Sequence, residues 1–208
     1  MNIPDSEGAR RRYESPVREA RARRTRAHVV ATAGRLFAER GYAGTSVRQI
    51  AAAAGVSLET VTQTGRKADL LLAAFRDGFA GNPDAVDLDA LVGEAGPADL
   101  PALVERVADG VRGSLPIWRA FTTAAMADPT VAAVRAELAV ARREEIAARL
   151  AAAGLAPSGG DLGRLADAIG LLTSHEAYDH LTGVCGWRHE EYTAWATAAI
   201  GAQLTLDW

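Results

Sequence analysis

The sequence predicts an all-α fold made of two units, a short N-terminal one and a longer C-terminal one. Three observations support this prediction. Alanine dominates the composition while β-branched and aromatic residues are sparse, apolar residues recur with helical spacing, and no convincing strand pattern occurs. The chain has 208 residues, of which 49% are hydrophobic and 24% charged, so it is long enough to bury a core and its composition is globular.

The first helix of the N-terminal unit is predicted from Arg21 to Arg40. Its apolar residues share one face, and Gly41 provides a suitable C-terminal stop. The preceding residues 1–20 contain few apolar side chains, so we expect a loose, solvated arm there. The apolar face of the helix consists of Val29, Ala33, Leu36 and Phe37.

Three shorter predicted helices follow in the N-terminal unit. The second helix opens on a Ser-x-x-Gln capping box at Ser46 and ends at Gly55. Ser57 caps a third helix that runs to about Gln63. A fourth, longer helix is predicted over residues 67–79, where apolar residues again recur with helical spacing.

The C-terminal unit is predicted to be helical apart from a connector, a loop and a turn. It begins with a connector rich in Gly, Pro and Asp over residues 81–100, which carries a short helical piece near residues 87–92. The helices predicted after it begin at Pro101, Pro116 and Pro129 and then cover Asp161–Leu181 and Arg188–Leu204, with a loop at residues 154–160 and a turn at residues 183–186.

The two units differ in charge. Residues 1–67 carry thirteen Arg and Lys against six Asp and Glu, a net charge of +7, whereas the remainder carries ten against twenty, a net charge of −10. A basic first third on an acidic remainder suits a polyanionic partner for the N-terminal unit.

Several classes of protein are excluded by the sequence. No run approaches the roughly 18 apolar residues that a membrane span needs, and the charged N-terminus lacks the apolar stretch of a signal peptide. We therefore expect a soluble cytoplasmic protein without a membrane partner. The single cysteine, Cys185, cannot form an intrachain disulfide or a cysteine-based zinc site.

Residues 46–63 have the pattern of a helix-turn-helix. Gly55 suits the tight turn, and Ala51 is small where two helices must cross closely. Val56 and Val61 are expected to hold the second helix of the motif against its neighbours. The outward side chains of that helix are then available to enter the major groove of DNA. They are Leu58, Glu59, Thr60, Gln63 and Thr64.

At these residues the chain resembles the DNA-binding domain of TetR-family transcriptional regulators, over residues 25–75. The resemblance implies a three-helix helix-turn-helix DNA-binding domain at residues 21–80, followed by a helical ligand-binding and dimerisation domain at residues 81–208. The matching blocks are Ala33-Gly34-Arg35-Leu36-Phe37-Ala38-Glu39-Arg40-Gly41-Tyr42, Thr45-Ser46-Val47-Arg48-Gln49-Ile50-Ala51, Ala54-Gly55-Val56-Ser57, Thr60-Val61 and Lys67-Ala68-Asp69-Leu70-Leu71.

The end of the predicted recognition helix departs from the family pattern. Thr62 stands where the family has an aromatic residue, and the segment 62–67 is one residue short and lacks a Phe. In the family that aromatic residue contacts DNA phosphates, so the resemblance implies a smaller contact area with DNA at Thr62.

The candidate DNA-binding residues come from the motif and from the resemblance. Lys67 is the only lysine of the chain, and the resemblance places it against the DNA backbone. Arg48 either reaches a phosphate or a guanine edge or is a surface charge, and Tyr42 either contacts a phosphate or packs under the first helix. The complete set is Tyr42, Thr45, Ser46, Arg48, Ser57, Leu58, Glu59, Thr60, Thr62, Gln63, Thr64 and Lys67.

A ligand site is expected in the C-terminal unit, because the resemblance implies a regulator that senses a small molecule. The candidate lining is mostly apolar, and no cluster of Lys or Arg converges there, so we expect a largely apolar effector. Aromatic residues with helical spacing also suit a plain core, and this alternative stays open. The candidates are Trp118, Phe121, Met126, His175 and Tyr178.

No cofactor or metal is predicted. His175 and His180 are five residues apart, whereas a His-Glu-x-x-His motif needs a spacing of four to place both rings on one helix face. We therefore expect no enzymatic activity.

The combined prediction is a homodimeric DNA-binding regulator that represses its operator until an effector releases it. The last two long helices are the expected dimer interface, although Trp195 suits a core position equally well. The alternative from another class is a helical enzyme or a protein-binding adaptor that uses the C-terminal unit.

Overall fold

A computed structural model describes residues 16–80, 100–155 and 160–205, and within these ranges the fold is helical without a strand. The elements are α1 (Pro16–Arg40), α2 (Val47–Ala54), α3 (Leu58–Thr64), α4 (Lys67–Ala80), α5 (Leu100–Ala125), α6 (Pro129–Ala152), α7 (Leu162–Leu172), α8 (His175–Tyr178), a π-helix (Asp179–Val184) and α9 (His189–Gln203). The predicted all-α fold is thereby confirmed.

The helix-turn-helix forms from local interactions that the sequence encodes. Ser46 and Gln49 make the predicted capping box at the start of α2, with the Ser46 backbone nitrogen donating to Gln49 Oε1 at 2.7 Å. Gly55 ends α2 in the left-handed conformation with φ of 64°, and the Val56 backbone nitrogen donates to the Ala51 carbonyl oxygen at 3.1 Å. This hydrogen bond closes the turn and aims α3 across α2.

One apolar core joins the helix-turn-helix to the second unit. The fully buried Phe37 and Val61 belong to it, as do residues of α4, α5 and α6. At its centre the ring of Phe75 from α4 stacks on that of Phe121 from α5, with 4.3 Å between ring centroids. The helices that carry the motif therefore pack directly on α5.

A second core cluster holds α5 against the C-terminal elements. Tyr192 is its largest buried residue, and its hydroxyl donates to the Leu172 carbonyl oxygen at 2.8 Å. The cluster consists of Val104, Ala108, Val111, Tyr178, Tyr192, Ala196 and Ile200. Because α5 contributes to both cores, it is the structural link between the two units.

The structure corrects two predicted boundaries in the first half of the chain. The first helix begins at Pro16 rather than Arg21, so the expected loose arm is helical from that residue onward. Pro116 starts no new helix, since it lies inside the continuous α5. Apolar residues on both sides of this proline are buried in the core clusters, and this packing outweighs the hydrogen bond that proline cannot donate.

A further correction concerns the helix expected to run from Asp161 to Leu181. It ends at Leu172, and Ser174 caps the short α8. A π-helix continues over Asp179–Val184, where a turn was expected from residue 183. The predicted helical piece near residues 87–92 and most of the N-terminal arm lie outside the described residues.

No helix within the described ranges combines the length and the apolar character that a membrane-spanning segment requires.

The turn of the helix-turn-helix provides a test of the local structure. Gly55→Ala places a side chain on a residue with φ of 64°, so we expect a loss of about 1–2 kcal/mol in the free energy of unfolding, measured by urea denaturation. Gly201→Ala in α9 is the matched control, because its new Cβ lies 4.0 Å from the nearest atom and removing a helical glycine stabilises by about 0.5–1 kcal/mol. Equal effects of the two substitutions would contradict this account of the turn.

Candidate nucleic-acid interface

The recognition helix α3 is held by one face and exposed on the other. Val61 is completely buried, while Leu58, Glu59 and Gln63 are exposed. Ser57 caps the helix by accepting a hydrogen bond from the Thr60 backbone nitrogen at 3.1 Å. Three of the five residues predicted to face outward are therefore exposed, whereas Thr60 and Thr64 are half-buried.

Three threonines of this interface use their hydroxyls within the protein. Thr62 Oγ1 donates to the Leu58 carbonyl oxygen at 2.9 Å, and Thr64 Oγ1 donates to that of Thr60 at the same distance. Thr45 is only 1% exposed and donates to the carbonyl oxygens of Leu36 and Gly41. The Thr45 side chain therefore holds the turn before α2 and does not face outward, contrary to the predicted role.

Lys67 and Tyr42 form a single unit beside α3. The Lys67 Nζ lies 4.1 Å from the centre of the Tyr42 ring, which suits a cation–π contact. Burial lowers the pKa of Lys67 and is the main cause that raises the pKa of Tyr42. Tyr42 also packs on Phe37 with 5.7 Å between centroids, so its ring positions the ammonium group as well as filling space.

The atypical end of the recognition helix is held by two arginines that the sequence motifs did not indicate. Arg26 of α1 donates to the Thr64 carbonyl oxygen at 2.6 Å. The Arg66 backbone nitrogen donates to Asp69 Oδ2 at 2.9 Å, and its side chain pairs with the same carboxylate. This bonding lowers the pKa of Asp69. A Cβ on Gly65 would lie 2.9 Å from that of Asp69, which explains the glycine.

The remaining predicted DNA-binding residues belong to α2, to its cap and to the exposed face of α3. Arg48 is exposed on α2, one residue after its start. Ser46 is exposed at the N-terminus of α2, where backbone N–H groups favour an anion. Gln63 Nε2 donates to Glu59 Oε1 at 3.3 Å, so these two side chains act as a pair.

Three of the predicted ligand-binding residues come together in the second unit. The Trp118 ring stacks on His175 at 4.4 Å between centroids and lies 5.6 Å from Phe121. Met126 does not join them, since it is 89% exposed. Tyr178 is buried in the second core cluster, where its ring meets Tyr192 edge to face.

His175 is held as a neutral group in this ring cluster. Its Nε2 lies 2.8 Å from Ser114 Oγ, and burial together with the positive charge of Arg142 lowers its pKa to about 4. The Arg142 guanidinium donates to Thr173 Oγ1 at 2.9 Å, so it is fixed close to the break between α7 and α8. A neutral imidazole suits an apolar ligand better than a protonated imidazole would.

A cleft of about 320 Å³ lies between the first helix and α5. Phe37 and Gly41 line one side, and Pro116, Arg119 and Thr123 line the other. Arg119 Nε also donates to Asp179 Oδ2 at 3.2 Å, which ties this side of the cleft to the π-helix. None of the predicted ligand-binding residues lines this cleft.

The roles of Arg26 and Arg66 at the end of α3 could hardly be predicted from the sequence. Arg26 lies in a stretch of arginines typical of a solvated arm, and its partner is a backbone carbonyl oxygen 38 residues away. Only the packing of the first helix on the third brings the two groups together. Arg66 was distinguishable only by its place before the family-like Lys67.

The comparison with protein families agrees with the geometry. Residues 29–74 match the model for bacterial regulatory proteins of the tetR family, which confirms the resemblance predicted from the sequence. A comparison with curated proteins finds no match.

Solved structures show the same fold over most of the chain. A protein from Mesorhizobium loti MAFF303099, assigned as a TetR-family transcriptional regulator, has a TM-score of 0.72 and 22% identity, covering 88% of this chain and 96% of its own. A protein from Saccharomonospora viridis, assigned as a transcriptional regulator and solved in complex with choline, has a TM-score of 0.69 and 21% identity. The match covers 86% of this chain and 96% of that protein. The multidrug binding protein EbrR, complexed with imidazole, has a TM-score of 0.57 and 21% identity. The match covers 99% of this chain and 98% of that protein.

The predicted roles of these residues, phosphate contact for Lys67 and base reading for Gln63, can be distinguished by DNA-binding assays. Lys67→Ala is expected to weaken all DNA sequences alike and to reduce the slope of log affinity against log salt by about 0.9, the value for one phosphate contact. Gln63→Ala is expected to relax base preference at one pair by about 1–3 kcal/mol. The control is Arg106→Ala, an exposed charge on α5. An unchanged salt slope in Lys67→Ala would mean that its ammonium group does not contact a phosphate.

The buried imidazole of His175 predicts a dependence of stability on pH. Its pKa is about 4 in the folded protein against 6.5 for a solvated histidine, so the unfolded chain binds the extra proton between these values. Folding stability is therefore complete above about pH 7 and falls as the pH drops towards 4, by about 2–3 kcal/mol for this group. His175→Gln should lose less stability than the unmodified chain over this range in denaturation curves. Parallel curves for the two proteins would contradict the prediction.

Proposed function

We propose that this chain, which matches the tetR family over residues 29–74, is a homodimeric transcriptional repressor that a small-molecule effector releases from its operator. The observation that carries the proposal is the exposed polar face of α3, which presents Glu59 and Gln63 outward while Val61 is buried. Such a face, on a helix held in a helix-turn-helix, is suited to base edges in the major groove.

Positive charges next to this face support binding to the DNA backbone. Arg26 and Lys67 lie at the C-terminal end of α3, and Arg48 is exposed on α2. The net charge of +7 over residues 1–67 adds a long-range attraction to phosphates. Binding is therefore expected to weaken steeply with salt, because each neutralised phosphate releases counterions.

The proposed mode of DNA recognition calls for a dimer. Two symmetric recognition helices read half-sites about 34–36 Å apart along the duplex, and one chain carries a single such helix in its described residues. Apolar side chains remain exposed on the C-terminal elements: Leu171 at 65%, Val184 at 75% and Trp195 at 36%. Their exposure supports these elements as the dimer interface, because a second copy would remove these apolar side chains from water.

The ring cluster of Trp118, Phe121 and His175 is the proposed contact region for an apolar or aromatic effector. The rings of Trp118 and Phe121 pack against Phe75 of α4, the helix that follows α3 directly. The choline complex of the structural neighbour from Saccharomonospora viridis supports the idea that a small organic molecule binds in this fold. A ligand that displaces Trp118 would act on α4 through Phe75.

Release follows from two conformational states with different DNA affinity. An effector that binds better to the state with misaligned recognition helices lowers operator affinity, and DNA lowers effector affinity by the same factor. The path from the ring cluster to the N-terminal unit is short, because Trp118 and Phe121 on α5 contact Phe75 on α4 directly.

The experiment that tests the function is an unbiased selection of bound sequences from random double-stranded DNA, followed by gel shifts on the selected site. A repressor yields a palindromic motif with two half-sites. An adaptor or a helical enzyme would show no sequence preference, and that result would overturn the proposal. Transcription in vitro from a promoter that overlaps the selected site then distinguishes repression from activation.

The dimer interface is tested by introducing charge at exposed apolar positions. Leu171→Asp and Trp195→Asp should shift the protein towards monomers in sedimentation at low concentration, since a carboxylate would be buried without a partner. The control is Val140→Asp, a residue on α6 that is 56% exposed. Trp195→Asp also tests whether Trp195 is a core residue. If it is, circular dichroism will show that the variant unfolds rather than dissociates. Unchanged dimers in both variants would exclude this interface.

The effector site is tested by Trp118→Ala. This variant should keep operator affinity but lose the response to an effector, which in the unmodified chain lowers affinity by a coupling of about 1–3 kcal/mol. Quenching of tryptophan fluorescence by the same ligand, measured before and after the substitution, assigns the contact. A full response in Trp118→Ala would remove Trp118 from the site.

A further inference from the structure

Three metal-ligating side chains meet where α5 passes the start of α9. Glu105 and Asp109 lie on α5, and His189 is the first residue of α9. One ligand atom from each residue lies within 4.8 Å of the other two. These residues belong to elements outside the helix-turn-helix, and they are not used by the proposed DNA or effector contacts.

The backbone geometry explains why the two carboxylates converge. Glu105 and Asp109 are separated by four residues on one helix, so their side chains lie on the same face. The first residue of α9 lies opposite that face because Tyr192 and Ala196, one and two turns later, are buried in the core cluster shared with α5. The convergence is therefore fixed by two rigid helices rather than by a loop.

The distances from His189 to the two carboxylates are close to those between ligands around one small cation. His189 Nε2 lies 3.1 Å from Glu105 Oε1 and 3.5 Å from Asp109 Oδ1. Ligand atoms bound tetrahedrally at about 2.0–2.2 Å are about 3.3–3.6 Å from one another. Small side-chain rotations would be enough to bring all three atoms onto one ion.

The imidazole of His189 is oriented for this role. Its side chain is only 10% exposed, and its Nδ1 lies 3.0 Å from the hydroxyl oxygen of the buried Tyr178. When Nδ1–H donates to that oxygen, the lone pair of Nε2 faces the two carboxylates. A hydrogen-bonded partner on the second ring nitrogen is the usual support of a metal-bound histidine.

We infer that Glu105, Asp109 and His189 form a binding site for a divalent first-row transition metal ion of the Zn²⁺ type. One imidazole and two carboxylates are ligands that Zn²⁺ accepts, and their combined charge of −2 balances the ion. The competing cation is Arg112, which donates to Asp109 Oδ1 at 2.6 Å from a side chain that is 56% exposed. An exposed guanidinium can move into solvent when the ion binds. The metal would join α5 to α9, the helix that carries Trp195 of the proposed dimer interface.

The test is metal binding to the untagged full-length chain, with Zn²⁺ followed by calorimetry and Co²⁺ by visible absorption. We expect one ion per chain. Glu105→Gln and Asp109→Asn should each lower the affinity at least tenfold. Glu190→Gln is the matched control, because it removes an equal charge from the residue next to His189 without touching the cluster. Circular dichroism establishes that each variant is folded.

A second variant examines the orientation of the imidazole. Tyr178→Phe should weaken binding by about 10–100-fold while keeping one ion per chain, as for other groups that position a metal-bound histidine. Absence of stoichiometric binding by the unmodified chain overturns the inference. So does an equal loss of affinity in Glu105→Gln and Glu190→Gln, which would reveal general attraction to acidic surface charge. The result does not depend on whether the protein binds DNA.

Discussion

The stacking of Phe75 on Phe121 is the contact on which the architecture depends. Both rings are buried, their centroids are 4.3 Å apart, and they belong to a single core that also contains the interior of the helix-turn-helix. A unit as small as the four N-terminal helices buries too little apolar surface to be very stable alone. The N-terminal unit therefore completes its core on α5, and its stability cannot be separated from the position of that helix.

This shared core connects the two units through side-chain contacts. Trp118 lies 5.8 Å from Phe75 and 4.4 Å from His175 between ring centroids, so aromatic contacts run from α4 to the break before α8. Arg119, the next residue of α5, joins the π-helix through Asp179 and also lines the cleft next to the first helix. Coupling between sites requires an element with two arrangements. The π-helix, which Arg119 contacts through Asp179, belongs to a class of element that is rare and frequently found at functional sites.

The N-terminal unit was predictable because local and long-range preferences agree there. The capping box at Ser46, the stop at Gly55 and the buried Val61 all occur as expected. The C-terminal unit was less predictable because tertiary packing overrides local signals. Pro116 lies inside a continuous helix, and the spacing over residues 173–184 gives no sign of a π-helix.

The site residues follow the same division. The outward face of α3 could be read from a single helical period, whereas Thr45 could not be recognised as buried, because its partners are the carbonyl oxygens of Leu36 and Gly41. The contact between Arg26 and the Thr64 carbonyl joins residues 38 positions apart. The cluster of Glu105 and His189 spans 84 positions. Interactions between residues so far apart along the chain are determined by how helices pack, which no local sequence pattern specifies.

The atypical end of the recognition helix also has a physical consequence for how DNA is held. Thr62 donates its hydroxyl to the Leu58 carbonyl oxygen, so a phosphate contact from it must compete with a formed hydrogen bond. Around the same helix end, Arg26 is tied to Thr64 and Lys67 is positioned on Tyr42, and both side chains carry full positive charges. Guanidinium and ammonium groups bind phosphates by charge-assisted hydrogen bonds and release counterions, which a neutral hydroxyl does not. In the proposed function, backbone contacts at this helix end would therefore be ionic rather than neutral. Ionic contacts of this kind release counterions, so the proposed DNA binding would depend more strongly on ionic strength than binding through neutral hydroxyls.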